Sequence, residues 1–284
     1  MKHKRLRDKL ESGTPVVMGV LNVTPDSFSE EGRNFSLEQA VKSAREMVEA
    51  GADIIDIGGE STRPGAAEVN PEEEQKRVLP VLEEIKKLDT IISLDTRNAS
   101  TMREGLNKGV DLINDVTALT GDPDSLGTVA DSEAFICLMH MQGKPQTMQK
   151  NPTYQDVVDE IISFLRERIE ACAISGISRD RLIVDPGIGF GKTLEHNLEI
   201  FKDLNRFQEL DVPVLLGASR KSFIEKICGE VNVDLRLPGS LAACLWGLEK
   251  GARIFRVHDV PETIQALDVW RAISGRWTPL SQSS

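Results

Sequence analysis

Apolar and polar positions follow a pattern that recurs at roughly thirty-residue intervals along the chain. A short run rich in β-branched residues gives way to a polar cluster, and a longer amphipathic stretch follows. Eight such runs predict strands over 16–23, 52–59, 91–96, 111–116, 134–141, 181–187, 212–219 and 252–259. Because the runs are continuously apolar, we expect both faces of the sheet to be covered.

The stretches between these runs predict helices. Residues 36–51 carry one apolar stripe, with Ser36 as N-cap of a capping box and Gly51 as the stop. Residues 71–88 place acids first and lysines last, as the helix dipole prefers, while Pro80 implies either a kink or a late start. Residues 154–176 form the longest helical pattern.

Strict alternation of eight strands and eight helices predicts a closed (β/α)8 TIM barrel, and an open doubly wound sheet is the alternative. Residues 1–284 are predicted to form a single domain, with 1–14 as an N-terminal extension and 275–284 as a C-terminal tail. No low-complexity linker or shift in composition divides the chain.

Composition restricts the partners. The formal net charge of -11 disfavours nucleic acid and anionic membrane, although arginines in one cleft can still bind an anionic substrate. The four cysteines show no CxxC pair, and the basic N-terminus lacks the apolar core of a signal peptide. No apolar run approaches the roughly 20 residues that span a bilayer. These features predict a cytoplasmic protein with small-molecule substrates.

Polar residues fall where the strands end, which is the face that carries the active site in such barrels. They are Asn22, Glu60, Thr62, Arg63, Asp95, Asn114, Asp115, Met139, His140, Asp185, Ser219, Arg220, Lys221, Arg256 and His258. Polar strand ends also occur simply because loops are polar, but a whole set at a barrel mouth needs partners. Asp95, Asn114 and Asp185 suit the N–H edge of a flat heterocycle, whereas Arg63, Arg256 and His258 suit a phosphate or pyrophosphate. The pattern is therefore typical of a group-transfer enzyme.

Other motifs do not fit their usual chemistry. The segment DPGIGFGKT has Pro186 where a P-loop needs glycine, and Lys192 where a dinucleotide fingerprint needs its third glycine. Its glycines favour a mobile or tightly turned loop. The four histidines lack zinc spacing, and no serine or cysteine has a histidine base at motif distance. Mg²⁺ needs only one or two protein oxygens beside substrate phosphates, so Asn22 is either its ligand or a structural carboxamide.

A series of motifs runs along the chain between about Val16 and Trp270, namely MGVLNVTPDSFS from Met18, GGESTRPGA, LDT, INDV, MHMQGKPQTMQ, DPGIGFGKT, GASRKSFI, RLPGSLAA and RVHD. In these motifs and in their order, the chain resembles the dihydropteroate synthase family. The resemblance implies condensation of 6-hydroxymethyl-7,8-dihydropterin pyrophosphate with 4-aminobenzoate, Mg²⁺ as cofactor and a homodimer.

The same resemblance implies residue roles. Asp95, Asn114, Asp185 and Lys221 are similar to the pterin-binding set, and Met139 and Phe190 to the lining of that pocket. Gly217 belongs to the predicted substrate-binding set. Asn22 is similar to the magnesium ligand, and Arg63, Arg256 and His258 to the pyrophosphate-binding residues. Around 4-aminobenzoate, where sulfonamides compete, the similar residues are Thr62, Pro64, Phe190, Ser219, Lys221 and Ser222. The residues with catalytic roles would be Asn22, Thr62, Arg63, Lys221, Arg256 and His258.

The resemblance also implies a mechanism, in which the pterin methylene separates from pyrophosphate and a weakly basic arylamine attacks without a strong general base. We then expect Asp185→Ala to abolish pterin binding and Arg256→Ala to impair mainly pyrophosphate binding. One departure is Glu30-Glu31-Gly32, where many members have an Asp-Gly-Gly type run, so what the resemblance implies about loop closure and sulfonamide affinity does not extend to this segment. The alternatives are a methyltetrahydrofolate-type methyltransferase barrel and an inactive paralogue that acts as a binding module.

Overall fold

The computed structural model describes residues 2–24, 37–61, 65–66 and 68–275. Eight strands occur at the eight predicted runs. They are β1 (Val16–Asn22), β2 (Ile54–Gly58), β3 (Ile91–Asp95), β4 (Leu112–Asp115), β5 (Phe135–Met139), β6 (Leu182–Asp185), β7 (Leu215–Leu216) and β8 (Ile254–Val257).

The strands form one parallel sheet in the order β6-β5-β4-β3-β2-β1-β8-β7. A parallel bridge between Val184 and Val214 joins the two ends of that order, so the sheet closes on itself. The prediction of a TIM barrel is confirmed, and the open doubly wound sheet is excluded. The C-terminal ends of all eight strands therefore surround one opening, which we call the mouth.

The described residues form ten α-helices. They are α1 (Lys2–Glu11), α2 (Leu37–Glu49), α3 (Pro71–Ile85), α4 (Ala99–Asn107), α5 (Ser125–Ala130), α6 (Val157–Ile174), α7 (Leu194–Lys202), α8 (Ser222–Cys228), α9 (Leu237–Glu249) and α10 (Val260–Ile273). The three long helices that the sequence predicts are α2, α3 and α6. Ser36, the predicted N-cap of α2, lies outside the described residues. Over the described part of the chain, no helix is both long and apolar enough to cross a membrane.

Pro80 lies within α3 rather than before it. The helix begins at Pro71, where the Asn70 side chain caps it by accepting a hydrogen bond from the Glu73 N–H at 2.8 Å. A late start is therefore wrong. Pro80 and Lys76, whose carbonyl loses its usual partner, are both exposed, so water can reach that carbonyl.

Two apolar layers make up the core. The larger layer fills the space between the strands and the helices, and it includes Ile55, Leu94 and Leu138. The smaller layer fills the part of the barrel interior that lies away from the mouth. It contains Leu6, Val16, Met18, Ile54, Ile91, Leu112, Phe135, Cys137, Ile183, Leu215 and Ile254. Each strand supplies both layers because successive side chains point to opposite faces, and this double burial explains the continuous apolar runs.

Helix α1 was predicted only as an extension. Leu6 of α1 is 2% exposed and belongs to the apolar layer inside the barrel, so the helix covers the end opposite the mouth. His3 contacts Asp111 at 3.0 Å, and Lys9 forms an ion pair with Asp53. Asp111 and Asp53 directly precede β4 and β2, so both contacts fix α1 to that end of the barrel.

Candidate active site

Inward-facing side chains change from apolar to polar on approaching the mouth. On β2, Ile54 belongs to the apolar layer and Asp56, two residues later, is fully buried above it. On β8, Ile254 is followed in the same way by Arg256. The period of two along each strand therefore places a polar layer directly on an apolar floor.

Asp56 is the centre of the polar layer. Its carboxylate accepts hydrogen bonds from the Ser93 hydroxyl at 2.5 Å, the Asn114 amide at 3.1 Å and the Arg256 Nε at 2.6 Å. The Arg256 Nη2 donates to Asp95 at 2.7 Å. Because β1 separates β2 from β8 in the sheet, the contact between Asp56 and Arg256 crosses the barrel interior.

These contacts orient Asn114. A carboxylate only accepts hydrogen bonds, so the Asn114 amide nitrogen faces Asp56 and its carbonyl oxygen is turned the other way. Beside it, burial raises the pKa of Asp95 to about 8, opposed by the Arg256 guanidinium and reinforced by Asp56. The mouth thus presents a carbonyl acceptor beside a carboxyl group that titrates near neutrality, and an N–H-rich ligand edge would favour the ionised carboxylate.

Asp185 and Lys221 form a second polar group at the mouth. Asp185 is 5% exposed and accepts from the Gly187 N–H at 2.7 Å, and burial raises its pKa against the opposing charge of Lys221. Lys221 donates to the Ile188 carbonyl, and its ammonium lies 4.6 Å from the centre of the Phe190 ring. Burial lowers the pKa of Lys221 to about 8, opposed by Asp185.

Gly217 keeps this group accessible. A Cβ at that position would lie 3.7 Å from the Asp185 carboxylate and 3.8 Å from the Lys221 ammonium. The missing side chain therefore leaves space directly in front of both groups. Met139, on neighbouring β5 and paired with Asp185, is 4% exposed and forms part of the wall.

The ends of β7 and β8 meet through Ser219 and His258. The Ser219 hydroxyl contacts His258 Nδ1 at 3.0 Å and accepts from the His258 N–H at 3.2 Å. The next residue, Arg220, has a left-handed φ of 57° and binds the Asp259 carboxylate with two nitrogens. This strained residue fixes the chain direction immediately before Lys221. Ser222 is exposed at the start of α8.

Two residues of the predicted rim do not reach the mouth. Asp115 accepts from the N–H groups of Thr117 and Leu119, so it stabilises the turn after β4. His140 contacts the edge of the Phe164 ring, on the helix side of β5. Both follow inward-facing residues, and consecutive strand residues point to opposite faces.

Asn22 lies at the mouth end of β1, where it pairs with Gly58 in the sheet. The described residues contain no cluster of three or more His, Cys, Asp or Glu side chains suited to a metal. One carboxamide oxygen fits Mg²⁺ only if substrate phosphates and water supply most of its ligands, which is the usual arrangement for this ion. The residues therefore fit a magnesium ion that arrives with a phosphorylated substrate.

Several predicted positions lie outside the described residues. They are Thr62, Arg63, Pro64 and the segment Glu30-Glu31-Gly32. The site described here accordingly consists of the strand ends and the β6–α7 and β7–α8 connections.

Sequence reasoning missed Asp56 and did not recognise the role of Lys192. Asp56 stands in the middle of an apolar run, and the signal that could have found it is its spacing of two from Ile54 and from Gly58. Lys192 was considered only as part of a nucleotide motif. It is 1% exposed and its ammonium contacts His140 Nδ1 at 3.0 Å.

Comparisons with known proteins agree with this site. Residues 18–258 match the family model of pterin binding enzymes. The chain is 48% identical over 264 residues to dihydropteroate synthase of Haemophilus influenzae, which covers 93% of this chain and 95% of that protein.

Solved structures give the same result. The Yersinia pestis dihydropteroate synthase in a sulfonamide drug complex superposes with a TM-score of 0.87 at 44% identity, covering 92% of this chain and 94% of that one. The Xanthomonas albilineans dihydropteroate synthase with 4-aminobenzoic acid gives 0.86 at 46% identity, covering 92% and 93%. A barrel whose mouth carries Asp95, Asn114, Asp185 and Lys221, matched over nearly its whole length, belongs to the dihydropteroate synthase family of pterin-binding enzymes.

Proposed function

We propose that the protein condenses 6-hydroxymethyl-7,8-dihydropterin pyrophosphate with 4-aminobenzoate, forming 7,8-dihydropteroate and pyrophosphate in folate biosynthesis. The observation that carries this proposal is the convergence of Asp95, Asn114 and Asp185 on one mouth beside Arg256 and Lys221. The family relationship supports it, and so does the presence of 4-aminobenzoic acid in the structure of one relative.

The heterocycle subsite consists of Asp95, Asn114, Asp185, Met139 and Phe190. Its carboxylates accept hydrogen bonds from the amino and ring N–H groups of a pterin, and the Asn114 carbonyl adds a third acceptor. A hydrogen bond to a charged group contributes about 1.5–3 kcal/mol, so two or three such bonds account for selective binding of the ring. Lys221 supplies a donor for a hydrogen-bond acceptor of the ligand, either a ring nitrogen or a carbonyl oxygen.

Arg256 and His258 are positioned for the leaving group. Nε and Nη2 of Arg256 bind Asp56 and Asp95, whereas its Nη1 has no partner among the described residues. This remaining edge supplies positive charge and donors, and the nearby His258 adds its imidazole, at the side of the mouth formed by β8. As the C–O bond between the pterin methylene and pyrophosphate breaks, these donors stabilise the negative charge that develops on the departing oxygen.

Magnesium belongs to the same proposal. Asn22 would hold the ion together with the diphosphate oxygens, and the bound ion would neutralise the leaving group. Removal of divalent cations is expected to abolish turnover, and Asn22→Ala is expected to raise the Mg²⁺ concentration that gives half-maximal rate.

The attacking arylamine must be positioned correctly but does not need a general base. Its nitrogen is weakly basic and is already unprotonated at neutral pH, so the protein must place it and exclude water. Ser219 and Lys221 lie beside the heterocycle subsite on the β7–α8 connection and are proposed to border the 4-aminobenzoate position. Thr62, Pro64 and Ser222 remain sequence predictions for that role, and Arg63 remains one for the pyrophosphate.

Pyrophosphate release by the purified protein tests the function. With the pterin pyrophosphate and Mg²⁺ present, release is expected to require 4-aminobenzoate, and dihydropteroate is expected to appear in equal amount. Pterin binding without release would favour the inactive paralogue or the methyltransferase-like barrel. Methyl transfer from methyltetrahydrofolate to a free corrinoid would then separate these two.

We also propose a cytoplasmic homodimer. The four cysteines are free thiols, as a reducing compartment favours. Exposed apolar side chains occur on α7, α8, α9 and the connection between α8 and α9, and α9 contacts α7 through the Trp246 indole, which donates to the Phe201 carbonyl at 2.8 Å. These exposed side chains are Leu198, Ile227, Val233, Leu235 and Trp246. A second copy would cover this face.

Light scattering tests the assembly. Trp246→Glu is expected to shift the protein to the monomer mass, because it buries a charge in the proposed interface. Ile174→Glu is the matched control, since Ile174 is 87% exposed at the end of α6. A dimer that survives Trp246→Glu would exclude this face.

A further inference from the structure

Lys192 is a buried amine whose hydrogen-bond partners are all uncharged, and burial lowers its pKa to about 7, opposed by Asp185. Its side chain is 1% exposed, and its ammonium contacts His140 Nδ1 at 3.0 Å, the His140 carbonyl at 3.3 Å and the Phe190 carbonyl at 3.0 Å. Burying an ammonium without a carboxylate partner is costly, and three hydrogen bonds offset only part of that cost. A lysine in such surroundings requires an explanation beyond filling space.

The acceptors of Lys192 belong to two different walls of the heterocycle subsite. His140 directly follows Met139 at the end of β5, and Phe190 lies in the β6–α7 connection. The single Lys192 ammonium therefore forms hydrogen bonds with the backbone of both segments. The pterin-facing side chains of Met139 and Phe190 lie within one residue of these contacts.

The two segments are also in close contact through glycines. A Cβ at Gly187 would lie 2.0 Å from the His140 carbonyl oxygen, and a Cβ at Gly191 would lie 2.3 Å from that of Gln142. Both glycines have positive φ values, 69° and 62°. The two segments are therefore so close at these glycines that no side chain fits between them. The Lys192 ammonium lies 3.4 Å from the position that a Cβ on Gly187 would occupy.

The charge of Lys192 acts on the same subsite. Its positive charge opposes the rise in the pKa of Asp185 that burial causes. Burial lowers the pKa of His140 to about 3, so its ring is neutral and Nδ1 can accept from the ammonium. In its protonated form, Lys192 therefore favours the ionised form of Asp185.

We infer that Lys192 is a positioning residue of the heterocycle subsite, holding the Met139 and Phe190 walls at a fixed separation by binding the backbone behind both; the inference rests on the proposed function. The sequence motif DPGIGFGKT then has a defined role. Its glycines permit the close approach, and its lysine joins the two segments.

Calorimetric binding of 6-hydroxymethylpterin to Lys192→Met tests the inference. Methionine keeps a similar length and removes every donor, so the dissociation constant is expected to rise about ten- to a hundredfold. Lys192→Gln, which keeps a donor, is expected to recover part of the affinity. Lys202→Met, on the exposed last residue of α7, is the matched control and is expected to bind as the wild type does.

Steady-state kinetics supply the second measurement. The KM for the pterin substrate is expected to rise more than the KM for 4-aminobenzoate in both Lys192 variants. A variant that loses thermal stability but keeps wild-type pterin affinity would reduce Lys192 to a structural role and overturn the inference. If Lys192→Met does not fold, the same two outcomes are read from Lys192→Gln.

The proposed function can fail separately. A wild-type protein that neither binds the pterin nor releases pyrophosphate would overturn both the function and this inference. Normal wild-type turnover together with wild-type affinity in the Lys192 variants would overturn the inference alone.

Discussion

The two ends of the barrel both carry many charged side chains, but they pair them differently. At the end covered by α1, most basic side chains of the helix pair with an acid of their own, as in Arg7 with Asp180 at 2.9 Å and Arg5 with Asp89 at 3.0 Å. At the mouth, Arg256 is shared between two buried carboxylates.

This difference separates charges that complete a fold from charges that await a ligand. The ion pairs of α1 are partly exposed and matched one to one, so they stabilise the docking of one helix and have little effect elsewhere. The mouth contains carboxyl groups whose pKa values burial raises, among them Asp95 and Asp185. Buried acids in this state gain most when a ligand supplies the missing donors.

Asp185→Ala is expected to produce the largest effect. It removes an acceptor from the heterocycle subsite, so pterin affinity should fall by at least about a hundredfold in calorimetry. Asp53→Ala is the control at the opposite end, where Asp53 accepts from the Val17 N–H at 3.1 Å. It should lower the unfolding midpoint while the pterin dissociation constant stays within about twofold of wild type. Equal losses of affinity in the two variants would remove the distinction between the ends.

Arg256→Ala is expected to have the next largest effect. The sequence assigned this residue to pyrophosphate, but its contact with Asp95 joins it to the heterocycle subsite. Without the shared cation, Asp56 and Asp95 lose their charged partner, so affinity for the pterin alone should fall about tenfold or more. Calorimetry with the pterin lacking pyrophosphate measures this, and unchanged affinity would restore the separate roles.

The pH dependence of pterin binding should be smaller. The ligand binds the ionised form of Asp95, whose pKa in the free protein is about 8, so binding releases protons below that pH. Affinity should therefore rise from pH 6 towards pH 8, by at most about tenfold per pH unit. Above pH 8 the gain should end as Lys221, with its pKa lowered to about 8, loses its charge. Calorimetry in buffers of different ionisation enthalpy counts the protons, and Asp95→Asn should flatten the rise.

Lys9→Met is expected to have the smallest effect. It breaks one partly exposed ion pair with Asp53, which contributes about 0.2–1 kcal/mol to the free energy of unfolding. Denaturant titration should show a loss of that size, with no change in either KM. A change in KM would mean that the two ends of the barrel are coupled.

Much of the fold could be predicted because the strands bury both faces, which leaves continuous apolar runs at regular spacing. Asp95, Asn114 and Asp185 could be placed because each stands at the end of such a run. Asp56 could not, since its role depends on the contact with Arg256 across the closed barrel. The docking of α1 could not be predicted for a similar reason. The sequence of α1 is polar, and its acidic partners lie far away in the sequence, between Asp53 and Asp180.

The docking of α1 also has a consequence for the order of folding. Its ion-pair partners extend along the sequence from Asp53 to Asp180. Its apolar residue Leu6 packs in a layer to which all eight strands contribute. During synthesis the helix emerges before the strands, yet its binding surface is assembled last. Contacts of such large sequence separation form slowly. Closure of this end of the barrel is therefore expected among the final folding steps, after the sheet has closed.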